Sequence, residues 1–321
     1  MQKNKKLFSI VIPVMNEQEV LPMTIERIDE ITQQINQNYT TEIIFIDDGS
    51  NDATLSILKE SVKNHPYIKI ISLSRNFGHQ IAITAGIQHA NGEFVGIIDA
   101  DLQDPPELFI KMLEHAEKGK DIVYGKRISR KGETFFKKIT AKLFYRFLNS
   151  MTDVELPLDT GDFRIISKRV ALKLNSMPEK HRYVRGMIPW IGFESYPFEY
   201  IREERAAGET KYPLRKMISF ASNAIVSFSS KPLDVAFRFG IISILLGISL
   251  FLYLLLLKIF SLVVPGITVI IATIVFLGGI QILFLGLIGK YVAKIFEESK
   301  NRPLFIVKEM SLRTLLSGLF L

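Results

Sequence analysis

Over the first 125 positions, hydrophobic residues come in short continuous runs separated by longer amphipathic stretches. Leu7–Val14 (LFSIVIPV), Glu42–Asp47 (EIIFID), Ile68–Ser72, Glu93–Asp99 and Asp121–Tyr124 are apolar and rich in β-branched residues, which predicts buried strands. Between them the apolar residues fall at helical spacing. Glu19–Gln37 places Leu21, Ile25, Ile28, Ile31 and Ile35 along one side. Ala53–Asn64, Gln80–Ala90 and Glu107–Lys118 read as further helices, the last started by Pro105–Pro106 because proline is favoured in a first turn. Strands alternating with helices predict an α/β fold, a parallel sheet wrapped by helices. Ligands bind such sheets at the carboxyl ends of the strands. Asp47–Asp48, Asp99–Asp101 and Lys126–Arg127 all fall at such ends.

The alternation breaks after residue 125. Residues 132–151 carry Phe135, Ile139, Leu143, Phe147 and Met151 four apart, with Lys137, Lys138, Lys142 and Arg146 on the flanks. That is the pattern of a basic helix lying on a membrane surface. Asp159–Ser167 reads as a loop entering a strand, Lys168–Asn175 as a short helix and Glu194–Arg202 as a strand. Residues 213–230 form a second amphipathic stretch. Phe239–Leu257 is then uncharged, a span of about 28 Å as a helix against a hydrocarbon core of about 30 Å. Ile259–Gly289 is uncharged as well, interrupted by Pro265–Gly266. Two membrane spans, about 235–257 and 267–289, are expected. Basic residues precede the first and follow the second, with Lys258 alone between them, so the positive-inside rule puts both termini in the cytoplasm. The expected organisation is a cytoplasmic domain over 1–231, a membrane hairpin over 232–290 and a cytoplasmic tail over 291–321. PLFIV in that tail has strand character. Gly278, Gly279, Gly286 and Gly289 leave room for close helix packing, compatible with a homo-oligomer.

Composition narrows the chemistry. The chain of 321 residues contains no cysteine, which excludes disulfides, thiolate metal sites and a cysteine nucleophile. The N-terminal apolar run contains Pro13 and stops at Asn16–Glu17 without a cleavage site, so it reads as a strand rather than a signal peptide. Neither G-x-G-x-x-G nor G-x-x-x-x-G-K-[ST] occurs, which argues against dinucleotide cofactors and P-loop hydrolysis. The net charge of +7 gathers beside the spans, where anionic lipid accounts for it better than nucleic acid does.

The densest chemistry is Asp99–Ala100–Asp101–Leu102–Gln103–Asp104 at the end of the fourth apolar run. In an extended chain residues two apart share a side, so Asp99 and Asp101 would aim at one point, with Gln103 offering an amide oxygen to the same place. Crowded carboxylates repel unless a cation lies between them. A hard divalent ion, Mg²⁺ or Mn²⁺, that also grips substrate phosphates is the expected cofactor. A solvated acidic turn is the alternative for the pair alone.

Taken together, VIPVMNE (11–17), IDDGSND (46–52), SRNFGHQIAITAGI (74–87), DADLQDPPE (99–107), YGKR (124–127), GDFR (161–164) and GETKY (208–212) resemble the family-2 glycosyltransferases of GT-A fold. Within them the chain is similar to the polyprenyl-phosphate glycosyltransferases, including dolichol-phosphate mannose synthase and bacterial undecaprenyl-phosphate glucosyltransferases. The resemblance covers about residues 7–300. It implies that Pro13, Met15 and Glu17 lie along the nucleotide, although the tyrosine often found at position 15 is replaced by Met15. It implies that Asp47 and Asp48 contact uracil or ribose. Asp99, Ala100, Asp101 and Gln103 would lie at the diphosphate, the metal being held by Asp99, Asp101 and Gln103. Arg127 would bind the lipid phosphate, Arg205 and Lys211 would close over the donor phosphates, and Asp162 would serve acceptor-side catalysis. Arg75 and His79 are candidates for the same cleft. The Q-x-x-R-W motif of processive synthases is absent, which points to transfer of a single sugar.

The implied reaction is inverting transfer from a nucleotide sugar, UDP-glucose first and UDP-N-acetylglucosamine next, to a polyprenyl phosphate at the inner membrane. Undecaprenyl phosphate is expected for a bacterial source and dolichyl phosphate otherwise. An acceptor already anionic at neutral pH needs no strong general base. It needs cations that align it with the anomeric carbon. Two rival readings are a transferase acting on another lipid or on a protein, and a membrane scaffold that retains the fold without activity.

Overall fold

The computed structural model describes residues 5–129, 160–202, 231–259 and 266–311. The expected amphipathic helices at 132–151 and 213–230, and the candidates Arg205 and Lys211, lie outside the described residues. The chain divides into two units. One holds the described residues up to 202 together with 303–311, and the other holds the two long apolar helices.

In the first unit the order is β1 (Lys6–Val14), α1 (Leu21–Ile35), β2 (Tyr39–Asp47), α2 (Thr54–Asn64), β3 (Ile68–Leu73), α3 (His79–His89), β4 (Phe94–Ile97), α4 (Leu108–Glu117) and β5 (Ile122–Ser129). It continues with β6 (Thr160–Ser167), α5 (Lys168–Ser176), α6 (Val184–Trp190) and β7 (Ser195–Ile201). The two long helices are α7 (Lys231–Ile259) and α8 (Ile267–Ser299), and β8 (Val307–Met310) follows them. The eight described strands form one sheet in the order β7-β5-β6-β4-β1-β2-β3-β8.

The sheet is mixed, which corrects the all-parallel expectation. β4, β1, β2 and β3 are parallel neighbours, as the alternating pattern predicts. β6 enters antiparallel between β4 and β5, and β8 closes the far edge antiparallel to β3. β4 is also shorter than the apolar run suggested. It stops at Ile97, and Asp99 to Asp104 belong to the turn beyond it.

The core explains why β4 carries a glycine. A Cβ on Gly96 would come within 2.8 Å of Phe8 and 3.0 Å of Phe109. Its absence lets the rings of Phe8 and Phe109 meet edge to face at 5.5 Å, and Phe109 continues to Phe163 at 5.0 Å. This aromatic column ties β1, α4 and β6 together beside Gly96 of β4. α1 starts with proline in its first turn and buries Leu21, Ile25, Ile28, Ile31 and Ile35, the residues its spacing marked.

The second unit consists of two helices long and apolar enough to cross a membrane, with candidate spans at Lys231–Ser249 and Phe276–Ser299.

Candidate active site

Four turns at the carboxyl ends of β1, β2, β3 and β4 build one edge of the site. The turn after β1 is stitched to the turn after β2. Asn16 N donates to Ser50 Oγ at 3.0 Å, Asn51 N donates to Asn16 Oδ1 at 2.8 Å, and Glu17 N donates to Thr54 Oγ1 at 2.9 Å. Asn16 is left-handed at φ 53°, which turns the chain out of β1 within one residue. Pro13 is buried in β1, and Met15 is half-buried with its sulfur accepting from the Asn76 amide.

Asp47 and Asp48, adjacent in sequence, serve different places. Asp47 accepts from Ser50 N at 3.0 Å and from the Ser72 hydroxyl at 2.8 Å, and it lines a pocket of about 270 Å³ between the ends of β2 and β3. Asp48 turns to the loop before α3 and accepts from Phe77 N at 2.7 Å and Gly78 N at 2.9 Å. Burial pushes the Asp48 carboxyl up, and those two backbone donors oppose the push. By holding Gly78, Asp48 fixes the first residue of α3, which is His79.

His79 meets two carboxylates. Its Nε2 lies 2.9 Å from Asp162 Oδ2 and 3.4 Å from Asp99 Oδ1. Ligand atoms of His79, Asp99 and Asp162 all fall within 4.8 Å of one another. Asp162 reaches this point because β6 runs antiparallel beside β4, so the start of β6 lies near the end of β4. Arg185, on α6, grips Asp162 with Nε at 2.8 Å and Nη2 at 2.6 Å. Burial alone would raise the Asp162 carboxyl, but the charge and hydrogen bonds of Arg185, then those of His79, hold it well below the ordinary range. Burial pushes Asp99 up instead, with Asp162 and Asp101 adding to the push and His79 opposing it. For His79, burial pulls downward and is outweighed by Asp99 and Asp162, so the imidazole is raised to about 9.

The two acids are therefore unlike. Asp162 is 2% exposed at its side chain and its oxygens are occupied by Arg185 and His79. Asp99 Oδ1 is buried and accepts no hydrogen bond. That oxygen lies in an ion pair with the raised His79 imidazole; a hard divalent cation suits such a carboxylate oxygen, but it would have to take the place of the His79 charge.

Asp101 and Gln103 stand further along the same turn. Leu102 between them is left-handed at φ 55°, so the backbone there is not extended. Gln103 N donates to Asp101 Oδ1 at 3.2 Å, and Asp101 Oδ2 lies 3.9 Å from Arg202 Nη2. Ala100 is buried, and its carbonyl accepts from the Thr24 hydroxyl at 2.7 Å. The turn ends in Asp104, which is fully buried. Asp104 accepts from Arg127 at 3.3 Å and from the Tyr200 hydroxyl, and Arg202 Nε stands 3.3 Å away. Arg127 fits because Gly161 opposite it has no side chain; a Cβ there would meet Arg127 Nη2 at 2.4 Å. Its side chain is only 9% exposed, and Asp104 and Tyr200 raise its affinity for the proton against the effect of burial.

Sequence reasoning left Arg185 and Asp104 without roles. Asp104 stood inside the quoted DADLQDPPE stretch. Arg185 offered no local signal, since its partner lies 23 residues earlier on another element.

Residues 9–174 match the family described as Glycosyl transferase family 2. The chain belongs to glycosyl transferase family 2. It is a glycosyltransferase, and its α/β domain has the GT-A type of fold. Similar proteins include the uncharacterized glycosyltransferase YkcC of Bacillus subtilis (strain 168), 46% identical over 94% of this chain and 93% of that one. The bactoprenol glucosyl transferase of Shigella phage SfV is 36% identical over 94% of this chain and 97% of that one. Among solved structures, glucosyl-3-phosphoglycerate synthase from Mycobacterium tuberculosis, in complex with Mn²⁺, UDP-glucose and phosphoglyceric acid, aligns with a TM-score of 0.46. It is 18% identical, over 69% of this chain and 78% of that one.

Proposed function

We propose that this family-2 transferase moves one sugar, with glucose first in order, from a UDP-sugar to the phosphate of a membrane polyprenyl phosphate. The observation that carries the reading is full-length similarity to bactoprenol glucosyl transferases, in a chain that joins this site to two apolar helices. Undecaprenyl phosphate is the proposed acceptor. α7 and α8 would hold the protein in the inner membrane with the transferase domain on the cytoplasmic side.

In the proposed reaction a lipid phosphate oxygen attacks the anomeric carbon. The new C–O bond forms as the bond to the UDP oxygen breaks, UDP leaves with the electron pair, and the anomeric configuration inverts. The acceptor oxygen is already anionic, so Asp162 has no proton to remove. Its proposed task is to orient Arg185 and His79, the two cations whose side chains remain partly open, at 32% and 41% exposure, beside Asp99. They align two anions against each other, and such positioning lowers the barrier by prepaying orientation. Asp99, with Asp101 and Gln103 further along the same turn, is proposed to hold Mg²⁺ or Mn²⁺. Bound there, such an ion would supply Lewis-acid stabilisation of negative charge on the diphosphate. Arg205 and Lys211 are proposed to close over the donor phosphates, whereas Arg127, expected at the lipid phosphate, is engaged by buried Asp104 and Tyr200 and is proposed to brace the turn instead. Pro13, Met15, Glu17 and Asp47 are proposed along the nucleoside, and Asp48 supports it by holding the loop before α3.

The test is incubation of the purified protein with a panel of nucleotide sugars and undecaprenyl phosphate, the lipid product being identified by mass. The reading expects undecaprenyl phosphate plus one hexose from UDP-glucose. A product on protein or diacylglycerol lipid, or none from any donor, would overturn it.

A further inference from the structure

α6 carries Arg185 at its second position, so the start of this helix sets where that guanidinium stands. The first N–H groups of a helix have no partner within it. Val184 opens α6, and Tyr183 before it supplies no side-chain cap. The acceptor comes instead from another helix. Val184 N donates to Gln80 Oε1 at 2.9 Å, across 104 residues of chain. Gln80 is the second residue of α3, directly after His79. Its other amide atom, Nε2, lies 3.4 Å from Asp162 Oδ2 and 3.5 Å from Asp162 Oδ1. One half-buried side chain therefore touches both the carboxylate that Arg185 grips and the residue next to Arg185.

The amide has one orientation that suits both neighbours. A backbone N–H only donates, and an ionised carboxylate only accepts, so the oxygen must face Val184 and the NH₂ must face Asp162. Apolar packing does not replace this bridge. α6 buries Val184, Met187 and Ile188. Such contact is non-directional, whereas the two-pronged pairing of Arg185 with Asp162 demands a set direction. Arg185 is itself 32% exposed, so its surroundings alone do not pin it.

We propose that Gln80 is a positioning residue, whose one amide holds the first N–H of α6 and the Asp162 carboxylate together and so sets the direction of Arg185 in the site. The inference rests on the transfer reading above. It adds a residue that acts through Arg185 and Asp162 rather than on the substrates.

The test uses Trp190, the single tryptophan of the chain and the last residue of α6. Its time-resolved fluorescence anisotropy reports nanosecond motion of that helix without any substrate. The purified full chain in detergent is compared with Gln80→Met and Gln80→Glu, and kcat and KM are measured with UDP-glucose and undecaprenyl phosphate. Methionine has similar length but neither amide atom. Gln80→Met should increase the motion of Trp190. It should also lower kcat at least about tenfold while KM for UDP-glucose changes less than about threefold, the split that lost alignment gives and lost binding does not. Gln80→Glu keeps an acceptor for Val184 N, so Trp190 should return to its wild-type motion. It also sets a second carboxylate beside Asp162, so transfer should stay low. Wild-type kcat in Gln80→Met, or equal Trp190 motion in Gln80→Met and wild type, overturns the inference while the transferase reading stands. Should Gln80→Met fail to fold, Gln80→Glu decides: wild-type transfer, or Trp190 more mobile than in wild type, overturns the inference as well. A wild type that transfers no sugar overturns the transfer reading itself, and Trp190 then still shows whether Gln80 holds α6.

Discussion

Arg185 holds Asp162 by two parallel hydrogen bonds, Nε at 2.8 Å and Nη2 at 2.6 Å, and this pair faces the orphaned oxygen of Asp99 across His79. A fork-shaped guanidinium matches a carboxylate in a way that an ammonium does not. The pair neutralises Asp162, while Asp99 faces His79 at 3.4 Å.

Arg185→Lys should therefore fold and fail as an enzyme, with sugar transfer lowered at least about a hundredfold because the remaining groups lose alignment. Arg185→Met should in addition lose on the order of 2–3 kcal/mol of stability. That is below the loss for a fully buried pair because Arg185 is partly open. Transfer rates and chemical unfolding of the three proteins separate the two effects. Full activity in Arg185→Lys would remove Arg185 from the site.

Asp104→Ala should destabilise the domain by about 3 kcal/mol, because it strands Arg127, Arg202 and the Tyr200 hydroxyl around an empty, fully buried position. Tyr200→Phe removes only one hydroxyl from that group and should cost about 1–2 kcal/mol. Urea unfolding of both variants checks the order.

Gly49→Ala combines a left-handed backbone with a collision against the Arg75–Asn76 main chain, which has no flexible side-chain end to yield. The expected cost is about 1–3 kcal/mol, together with weaker UMP binding. By contrast, Gly119→Ala has nothing within 4 Å of the new Cβ, though its φ of 94° still strains the turn. UMP affinity should separate the two, falling in Gly49→Ala and holding in Gly119→Ala.

Asp121 gives the fold a dependence on acid. Hydrogen bonds from Arg169, then from Ser167, hold its carboxyl below the ordinary value despite the opposing effect of burial. A depressed folded value contributes stability above the unfolded value, near pH 4, and that contribution is lost as pH falls through the folded one. Asp121→Asn should thus melt below wild type at pH 7, and the gap should close as the pH is taken down through the carboxylate range. A gap that is constant with pH would deny Asp121 this role.

The sequence carried the strands of the parallel half of the sheet, such as Leu7–Val14 and Glu42–Asp47, because buried strands read as unbroken apolar runs, but not their order in the sheet. It did not carry the antiparallel pairings of β6 and β8. β6 has the strand composition expected of it, but nothing in TGDFRIIS says that it inserts between β4 and β5 and brings Asp162 to His79. Asp99 was legible as chemistry, since a carboxylate closing an apolar run needs a reason. The turn geometry was not, because Leu102 adopts a left-handed backbone that local propensity does not foretell. Arg185 and Gln80 were illegible for the same cause: each acts on residues far away in sequence, through contacts that exist only once the sheet has closed.

The central claim is that Asp99 anchors a divalent cation needed to move sugar onto a lipid phosphate. Its most direct test is transfer of labelled glucose from UDP-glucose to undecaprenyl phosphate, with EDTA and then with Mn²⁺ or Mg²⁺ restored, in wild type and in Asp99→Asn. The account predicts that chelation abolishes transfer in wild type, that metal restores it, and that Asp99→Asn stays inactive throughout. Transfer that continues in EDTA, or an Asp99→Asn protein as active as wild type, would contradict it.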